Sequence, residues 1–346
     1  MRALIVGPPA AERGALASQA REKGYVVETA STVSEAVVTL NGGEFDLVLL
    51  SAPLPDADAA KFFEAAAVVE TRRRRSVESL THEMDVARSI QRDFLPDALP
   101  TSRGIQLDAA LHPARQVSGD FYDAFAMPPS NTVVLVVGDV CDKGVGAALF
   151  MALFRSLIRA SADPVEGGAI QMIGGRRTMV RQSIESASPA ELLTRVAGFT
   201  NDYIARLHGR TNMFATVFLG ALDTGTGRLD YVNAGHEPAI VIAPNGGMRE
   251  LRPTGPALGL MPDQLFKTGE ATLEPGDSLI AFTDGLVEAR NLAGEAFGAE
   301  RLRSVLQANH TSAKALVKGV LEAVQAFAGH AEPHDDVTLL AASRTS

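Results

Sequence analysis

The first 70 residues alternate short apolar runs with stretches whose apolar positions repeat at helical spacing. Short apolar runs favour strands, and an apolar repeat of three to four residues favours amphipathic helices. The predicted strands are Leu4–Val6, Tyr25–Thr29 and Leu47–Leu50, and the predicted helices are Glu12–Lys23, Ser34–Leu40 and one from about Asp58. A βαβαβα order implies right-handed crossovers and a parallel sheet. We therefore expect an α/β segment over residues 1–70.

A different pattern fills residues 71–96, where spacings of three and four residues alternate. The positions of this stripe are Val77, Leu80, Met84, Ala87, Gln91 and Phe94. No glycine or proline interrupts residues 58–94, so one nearly continuous helix is expected. The stripe is typical of a coiled coil, which would make the protein a homodimer through this linker helix. A helix packed on the following domain gives the same pattern.

Strand-like runs dominate residues 97–346, and two helices interrupt them. The predicted helices are Ala147–Arg159 and Pro189–Leu207, and the predicted strands are Val133–Val137, Met213–Leu222, Gly227–Ala234, Ala239–Ile242, Ser278–Phe282 and Val337–Leu340. This pattern alone supports either an α/β or an α+β domain. Residues 161–188, which contain two Gly-Gly pairs, are predicted to be a mobile insertion.

Several aspartates stand at the ends of the apolar runs. Asp139 follows one run, Asp284 follows another, and Asp335 and Asp336 precede a third, while Asp120 lies in Ser-Gly-Asp-Phe-Tyr-Asp. Carboxylates that emerge together from a buried sheet repel each other and need a cation or a proton. Hard oxygen donors suit Mg²⁺ or Mn²⁺. The competing interpretation is that each aspartate is a turn or cap residue.

The order of these motifs resembles the SpoIIE-like bacterial branch of the metal-dependent PPM serine/threonine phosphatases, from about Ala87 to Ala342. The motifs that carry the resemblance are Ala87-Arg88-Ser89-Ile90-Gln91, Phe94-Leu95-Pro96, Pro113 to Asp123, Gly138-Asp139-Val140, Lys143-Gly144-Val145, Asn233-Ala234-Gly235-His236, Thr283-Asp284-Gly285 and Asp335-Asp336-Val337-Thr338. Two departures are notable: Cys141-Asp142 stand where the family usually has Ser-Gly, and Ser118 stands where it often has a glycine. The resemblance implies an α+β fold, a two-sheet β-sandwich flanked by helices.

The resemblance also implies a site and a reaction. Two Mn²⁺ or Mg²⁺ ions would be held by carboxylates and one carbonyl, with Asp139 bridging and a metal-activated water attacking a phosphoserine or phosphothreonine ester. The implied catalytic residues are Asp120, Asp139, Asp284 and Asp335, and the implied metal ligands are these four with Asp336 and the Val140 carbonyl. Arg115 is the candidate phosphate clamp. Asn233 and His236 are candidates for positioning water or substrate, or for forming a structural turn.

Residues 1–70 resemble the first half of a response-regulator receiver, but the receiver chemistry is missing. Ser51 stands where the phosphoacceptor aspartate would be, and Pro8-Pro9 replace the acidic pair that holds Mg²⁺. We expect a degenerate receiver-like domain over residues 1–70, a helical linker over 71–96, and the phosphatase domain over 97–346. Ser51 is not expected to accept a phosphoryl group.

Composition narrows the function classes further. A net charge of −9 argues against nucleic-acid binding, and Cys141 is the only cysteine, which fits a reducing cytoplasm. No uninterrupted apolar stretch reaches the ~18 residues of a membrane span, so no membrane association is expected. The resemblance implies a phosphorylated anti-sigma-factor antagonist as the substrate and partner. The alternative is a catalytically weak adaptor that docks a signalling partner.

Overall fold

The computed structural model describes all residues except 8–9, 44, 52–55, 129, 163–167, 174–175, 182–187 and 346, and it leaves the side chains at 56–59, 68–77, 168–173 and 176–181 undescribed. The chain divides into two compact units, Met1–Met84 and Asp85–Ser346. The division falls inside the predicted linker helix. The predicted boundaries at residues 70 and 96 therefore stay predictions.

The N-terminal unit contains the predicted parallel sheet, with strand order β2-β1-β3. Its elements are β1 Arg2–Val6, α1 Ala10–Glu22, β2 Val26–Ala30, α2 Val33–Gly42, β3 Leu47–Leu50 and the first part of α3 Asp56–Asp93. Leu4 and Val6 pack against Leu40, whereas Ala3 and Ile5 belong to a separate core cluster with residues of α1. Both faces of β1 are covered, which explains its uninterrupted apolar run. The likeness to a receiver remains a prediction from the sequence.

Helix α3 confirms the expectation of a long helix. It runs from Asp56 to Asp93, 38 residues without a break. Towards its C-terminal end the stripe packs within the second unit: the Gln91 side chain bonds the backbone of Ser118 at both its oxygen and its nitrogen. At this end, therefore, the helix packs on the domain that follows it, which is the second of the two interpretations of the stripe. Leu80, Val86 and Ile90 are exposed.

The second unit is a sandwich of two five-stranded antiparallel sheets with orders β13-β10-β9-β6-β5 and β12-β11-β14-β15-β4. The strands of the first sheet are β5 Asp120–Met127, β6 Thr132–Val140, β9 Ala215–Asp223, β10 Arg228–Ala234 and β13 Gly269–Thr272. The strands of the second are β4 Ile105–His112, β11 Ala239–Ile242, β12 Met248–Leu251, β14 Ser278–Phe282 and β15 Val337–Arg344. The helices are α4 Val145–Ala162, α5 Pro189–Leu207, α6 Gly285–Glu288, α7 Gly298–Asn309 and α8 Ala313–Ala328.

Three apolar cores hold these layers together. Leu135 and Val137 of β6 face Leu340 and Ala342 of β15 between the sheets. The other face of β6 packs on α4 and α5, and the outer face of the second sheet packs on α7 and α8. The two-sheet fold flanked by helices that the resemblance implied is therefore present, because each sheet buries one face against the other sheet and its second face under helices.

Two local features complete the fold. Among the described residues, α4 alone is long and apolar enough to cross a membrane, and Met151, Phe154 and Ile158 of this helix are buried in the protein core. The predicted insertion at 161–188 contains an antiparallel pair, β7 Gly168–Ile173 and β8 Arg176–Arg181. The prediction of mobility falls partly on residues 163–167, 174–175 and 182–187, which lie outside the described part of the chain.

Candidate metal centre and active site

Four carboxylates come from both sheets to one end of the sandwich. Asp120 begins β5 and is the register partner of Asp139 on β6, so both side chains lie on the face that looks towards the other sheet. Asp284 follows β14 and Asp335 precedes β15, which is the neighbour of β14. The sequence placed each aspartate at a strand end. The antiparallel pairing brings those ends together.

A threonine that the sequence analysis passed over joins the two sheets at this point. The Thr283 hydroxyl donates to Asp120 Oδ2 at 2.7 Å and accepts from the backbone N–H of Thr338 at 3.0 Å. Thr283 is fully buried and continues the inward-facing alternation of β14. That alternation was the pattern that could have identified it. The bond orients one oxygen of Asp120.

The loop after Asp284 approaches the Asp335–Asp336 loop closely. A Cβ placed on Gly285 would overlap the Asp336 carbonyl oxygen and would come within 3.1 Å of Asp335 Cβ. Only glycine leaves room for this approach, because it has no Cβ. Gly285 therefore sets how near Asp284 and Asp335 can lie to one another.

The electrostatics of the cluster favour a cation. Burial raises the pKa of Asp139 to about 7, and the charges of Asp284 and Asp335 add to the rise. Burial and the neighbouring Asp139 hold the pKa of Asp120 well above its usual range, and burial with Glu288 and Asp335 nearby raises the pKa of Asp284. A carboxylate that resists ionisation when alone is stabilised as an anion by a nearby cation.

Lys143 is a second site residue that the sequence did not single out for a role. Its ammonium lies 2.7 Å from Asp335 Oδ2 and donates to the His334 carbonyl at 2.9 Å. The turn that carries Lys143 has Asp142 at φ 71° and Gly144 at φ 86°. Asp142 thus adopts the left-handed conformation that the family's glycine would adopt, so the sequence departure leaves the turn intact.

Asp336 makes contacts that the sequence did not indicate. Its Oδ1 accepts from the Ala114 N–H at 2.7 Å, and its Oδ2 accepts from the Ser118 hydroxyl and the Gly119 N–H at 2.8 and 2.9 Å. The residue is buried and both oxygens are engaged. Asp336 therefore braces the 114–119 loop, and its place among the metal ligands stays a prediction from the resemblance.

The three predicted substrate-binding residues divide into two groups. Arg115 is exposed on the loop that Asp336 braces. Asn233 is fully buried, with its amide donating to the carbonyls of Glu237 and Leu251 and its Oδ1 accepting from the His236 N–H. These contacts form a turn around Asn233, which is the structural alternative that the sequence left open. Substrate binding by Asn233 stays a prediction from the sequence.

His236 is also removed from the surface. Its Nδ1 lies 2.8 Å from the Thr216 hydroxyl, and Thr216 is the register partner of Asp139 on β9. Burial lowers the pKa of His236 to about 4, so the imidazole is neutral at pH 7. The structure thus links His236, through Thr216, to the strand next to Asp139. Its contact with water or substrate stays a prediction from the sequence.

The comparisons with known proteins decide the family. Residues 129–345 match the family model described as Stage II sporulation protein E (SpoIIE). The chain belongs to the SpoIIE family. The chain is 40% identical over 266 residues to Protein IcfG of Synechocystis sp.; the match covers 76% of this chain and 41% of that protein.

Two further likenesses agree with this assignment. The phosphoserine phosphatase RsbU of Bacillus subtilis is 24% identical over 271 residues, covering 77% of this chain and 71% of that protein. The SiaA-PP2C domain of Pseudomonas aeruginosa superposes with a TM-score of 0.61 at 20% identity, covering 78% of this chain and 99% of that chain. The second likeness shows that the SpoIIE domain has the fold of a PP2C domain.

The residues of this SpoIIE domain fit divalent ions by their chemistry. The donors are carboxylate oxygens, together with the Val140 carbonyl, which faces Gly119 closely enough that a Cβ there would lie 3.0 Å from it. In the part of the chain that the structure describes, no three acidic, imidazole or thiol groups close around one point as a finished ligand set. Mg²⁺ and Mn²⁺ prefer oxygen ligands of this kind, and Mg²⁺ retains several water ligands when it binds to proteins.

Proposed function

We propose that the protein is a cytoplasmic, metal-dependent phosphatase that hydrolyses phosphoserine or phosphothreonine on a regulatory protein. The observation that carries the proposal is the convergence of Asp120, Asp139, Asp284 and Asp335 at one end of a SpoIIE-family sandwich. Two Mn²⁺ or Mg²⁺ ions bound there would lower the pKa of water and neutralise charge on the phosphoryl group. The adaptor alternative is disfavoured, because a docking surface does not need buried, mutually repelling carboxylates.

Each residue of the site has a part in this reaction. Asp120, Asp139, Asp284 and Asp335 would hold the ions, which would supply an activated water and neutralise phosphoryl charge. Thr283 fixes the rotamer of Asp120 through its 2.7 Å bond. Asp336 holds the loop that presents Arg115, whose planar guanidinium matches two phosphate oxygens. Lys143 adds a positive charge beside Asp335, where the substrate phosphate approaches.

The substrate proposed is a phosphorylated antagonist of an anti-sigma factor. The support is the similarity to RsbU, which is itself a phosphoserine phosphatase. The chain covers less than half of IcfG, so the activity and partners of that whole protein do not transfer directly. A net charge of −9 leaves nucleic acid an unfavoured partner.

The phosphatase proposal predicts Mn²⁺-dependent release of phosphate from a phosphoserine peptide and from p-nitrophenyl phosphate, and none after chelation with EDTA. Malachite-green detection of phosphate and absorbance of nitrophenol measure the two rates. Tight Mn²⁺ binding by calorimetry without hydrolysis of either substrate would favour the adaptor alternative. Hydrolysis that is unaffected by EDTA would exclude the metal centre.

We also propose that the protein is a homodimer through α3. Leu80 is 61% exposed in a long amphipathic helix. The double variant Leu80→Glu, Met84→Glu is expected to be a monomer by multi-angle light scattering and to have altered turnover. Pairing of the two helices would bury the new charges in the apolar stripe, which is unfavourable. The control variant Glu83→Gln changes an exposed polar position of the same turn. An unchanged mass for the double variant would contradict the proposal.

A further inference from the structure

A cavity of about 320 Å³ opens beside the carboxylate cluster and has no role in the mechanism above. Gly285 and Asp335 form one of its walls. Asp335 is also one of the carboxylates of the candidate metal centre, so the cavity adjoins the centre. A molecule that places a phosphate at the centre therefore has its neighbouring groups at the mouth of this cavity.

The opposite wall of the cavity is apolar and comes from α8. Leu321, Val324 and Ala328 line it, at spacings of three and four residues along one face of the helix. Val324 is buried in the core under the second sheet, and Leu321 packs against that core while staying partly exposed, as Ala328 does. The helix thus presents partly exposed apolar side chains to the cavity.

Charged groups stand around the mouth. Arg290 and Glu332 line it together with the exposed His112 and His334. The Arg290 guanidinium donates to the Gly294 carbonyl at 2.9 Å, which holds it in place. An apolar wall, a polar mouth and a volume above about 300 Å³ are the usual features of a site that accepts an organic group.

We propose that this cavity is a specificity pocket that takes an apolar side chain of the phosphoprotein substrate, next to the phosphorylated residue. The inference rests on the proposed phosphatase function. The occupant must carry a phosphate at one end and an apolar group a few ångströms away, because the two sites share the Gly285–Asp335 wall. A peptide segment with a leucine-like residue near its phosphoserine has this chemistry. The pocket would select substrates through that neighbour, while the metal centre recognises the phosphate alone.

The test is binding of fluorescein-labelled phosphoserine peptides in which a leucine is moved through each position flanking the phosphoserine. The probe protein is the full chain carrying Asp139→Asn, so that no turnover interferes. It is held at saturating Mn²⁺, because this variant binds the ion more weakly, and the readout is fluorescence anisotropy. Ala328→Trp fills the pocket, and Lys318→Trp puts the same side chain on an exposed position of α8 outside the lining. A separate p-nitrophenyl phosphate assay of the wild-type chain tests the phosphatase proposal independently.

We expect one leucine position to strengthen binding by about 10- to 100-fold over the serine-flanked peptide, as expected for burial of one such side chain. Ala328→Trp should abolish this preference and Lys318→Trp should retain it. In a chain that keeps Asp139, Ala328→Trp should leave p-nitrophenyl phosphate turnover unchanged. Affinity that does not depend on the leucine position, or an equal loss in both tryptophan variants, would overturn the pocket. If the wild-type chain releases no nitrophenol, the phosphatase function is refuted instead. The anisotropy result would still decide whether the pocket binds the leucine.

Discussion

Asp139→Asn is expected to lower Mn²⁺-dependent hydrolysis by at least about a thousandfold, the upper range for loss of one electrostatic group in a catalytic site. Asp139 is the register partner of Asp120, and the charges of Asp284 and Asp335 act on it, so no other carboxylate can replace it. Asp284→Asn should have a similar effect. Phosphate release at saturating Mn²⁺ measures the loss, and calorimetry should show weakened Mn²⁺ binding.

The same variant should be more stable than the wild type when both are in EDTA above neutral pH. The pKa of Asp139 is about 7 in the folded chain against the ordinary aspartate value of 3.8, because burial disfavours the charge. The folded state therefore holds a proton that the unfolded state has lost, and this contribution to stability disappears as pH rises from about 4 to 7. Asparagine does not titrate, so it has no such loss. Thermal unfolding should give Asp139→Asn a free energy of unfolding higher than that of the wild type by on the order of 2 kcal/mol at pH 8, with no difference near pH 4.

A carboxylate on the same sheet provides the control of opposite sign. Asp123 is buried on β5, with Arg155 and Arg159 each 3.0 Å from its oxygens. Burial also raises the pKa of Asp123, but Asp123→Asn leaves the partly buried Arg155 without its counter-charge. This second effect should be the larger one and should lower stability at pH 8. If Asp139→Asn retains near wild-type turnover with metal saturating, or is destabilised as Asp123→Asn is, the assigned centre is wrong.

Gly285→Ala is the second large expected effect. The added methyl group would overlap the Asp336 carbonyl oxygen, and both residues lie on backbone held by strands, β14 on one side and β15 on the other. The loops must separate, which should cost about 1–3 kcal/mol in unfolding free energy and displace Asp284 from Asp335. Mn²⁺ affinity and turnover should both fall by at least about tenfold, since ligand geometry tolerates little displacement.

Gly146→Ala is the matched control for this substitution. Gly146 lies in the first turn of α4, and a Cβ there meets no atom within 4 Å. Alanine in a helix is favoured over glycine by about 1 kcal/mol, so this variant should be as stable as the wild type or more so. Chemical denaturation and Mn²⁺ calorimetry compare the two. Unchanged Mn²⁺ affinity in Gly285→Ala would show that the close approach is not needed by the centre.

The elements themselves followed from local pattern. The strands Leu47–Leu50, Ala239–Ile242 and Ser278–Phe282 and the helix Pro189–Leu207 were predicted with the bounds observed. The last begins with a Ser188–Glu191 capping box and proline in its first turn, which are local features of the chain. The apolar run before Asp139 and the run before Asp284 likewise marked where those carboxylates would emerge.

The roles of neighbouring residues did not follow from pattern. Asp335 and Asp336 are adjacent, yet one pairs with Lys143 while the other braces the 114–119 loop, more than 200 positions away in the chain. Asn233 and His236 were predicted to bind substrate and are buried. The sequence shows which residue types occur and at what spacing. The burial of each side chain and its bonding partners depend on which strands pair.

The sequence by itself determined that hard carboxylate donors stand at strand ends, that a long helix precedes them, and that the motifs follow the order of a phosphatase family. These properties are local, because they depend on residue type and periodicity. Only the tertiary structure decided which carboxylate oxygens are available, that Thr283 and Lys143 belong to the site, and that a cavity adjoins it. Those properties arise from contacts between strands β5, β6, β14 and β15, whose register is fixed by burial of both sheets against each other.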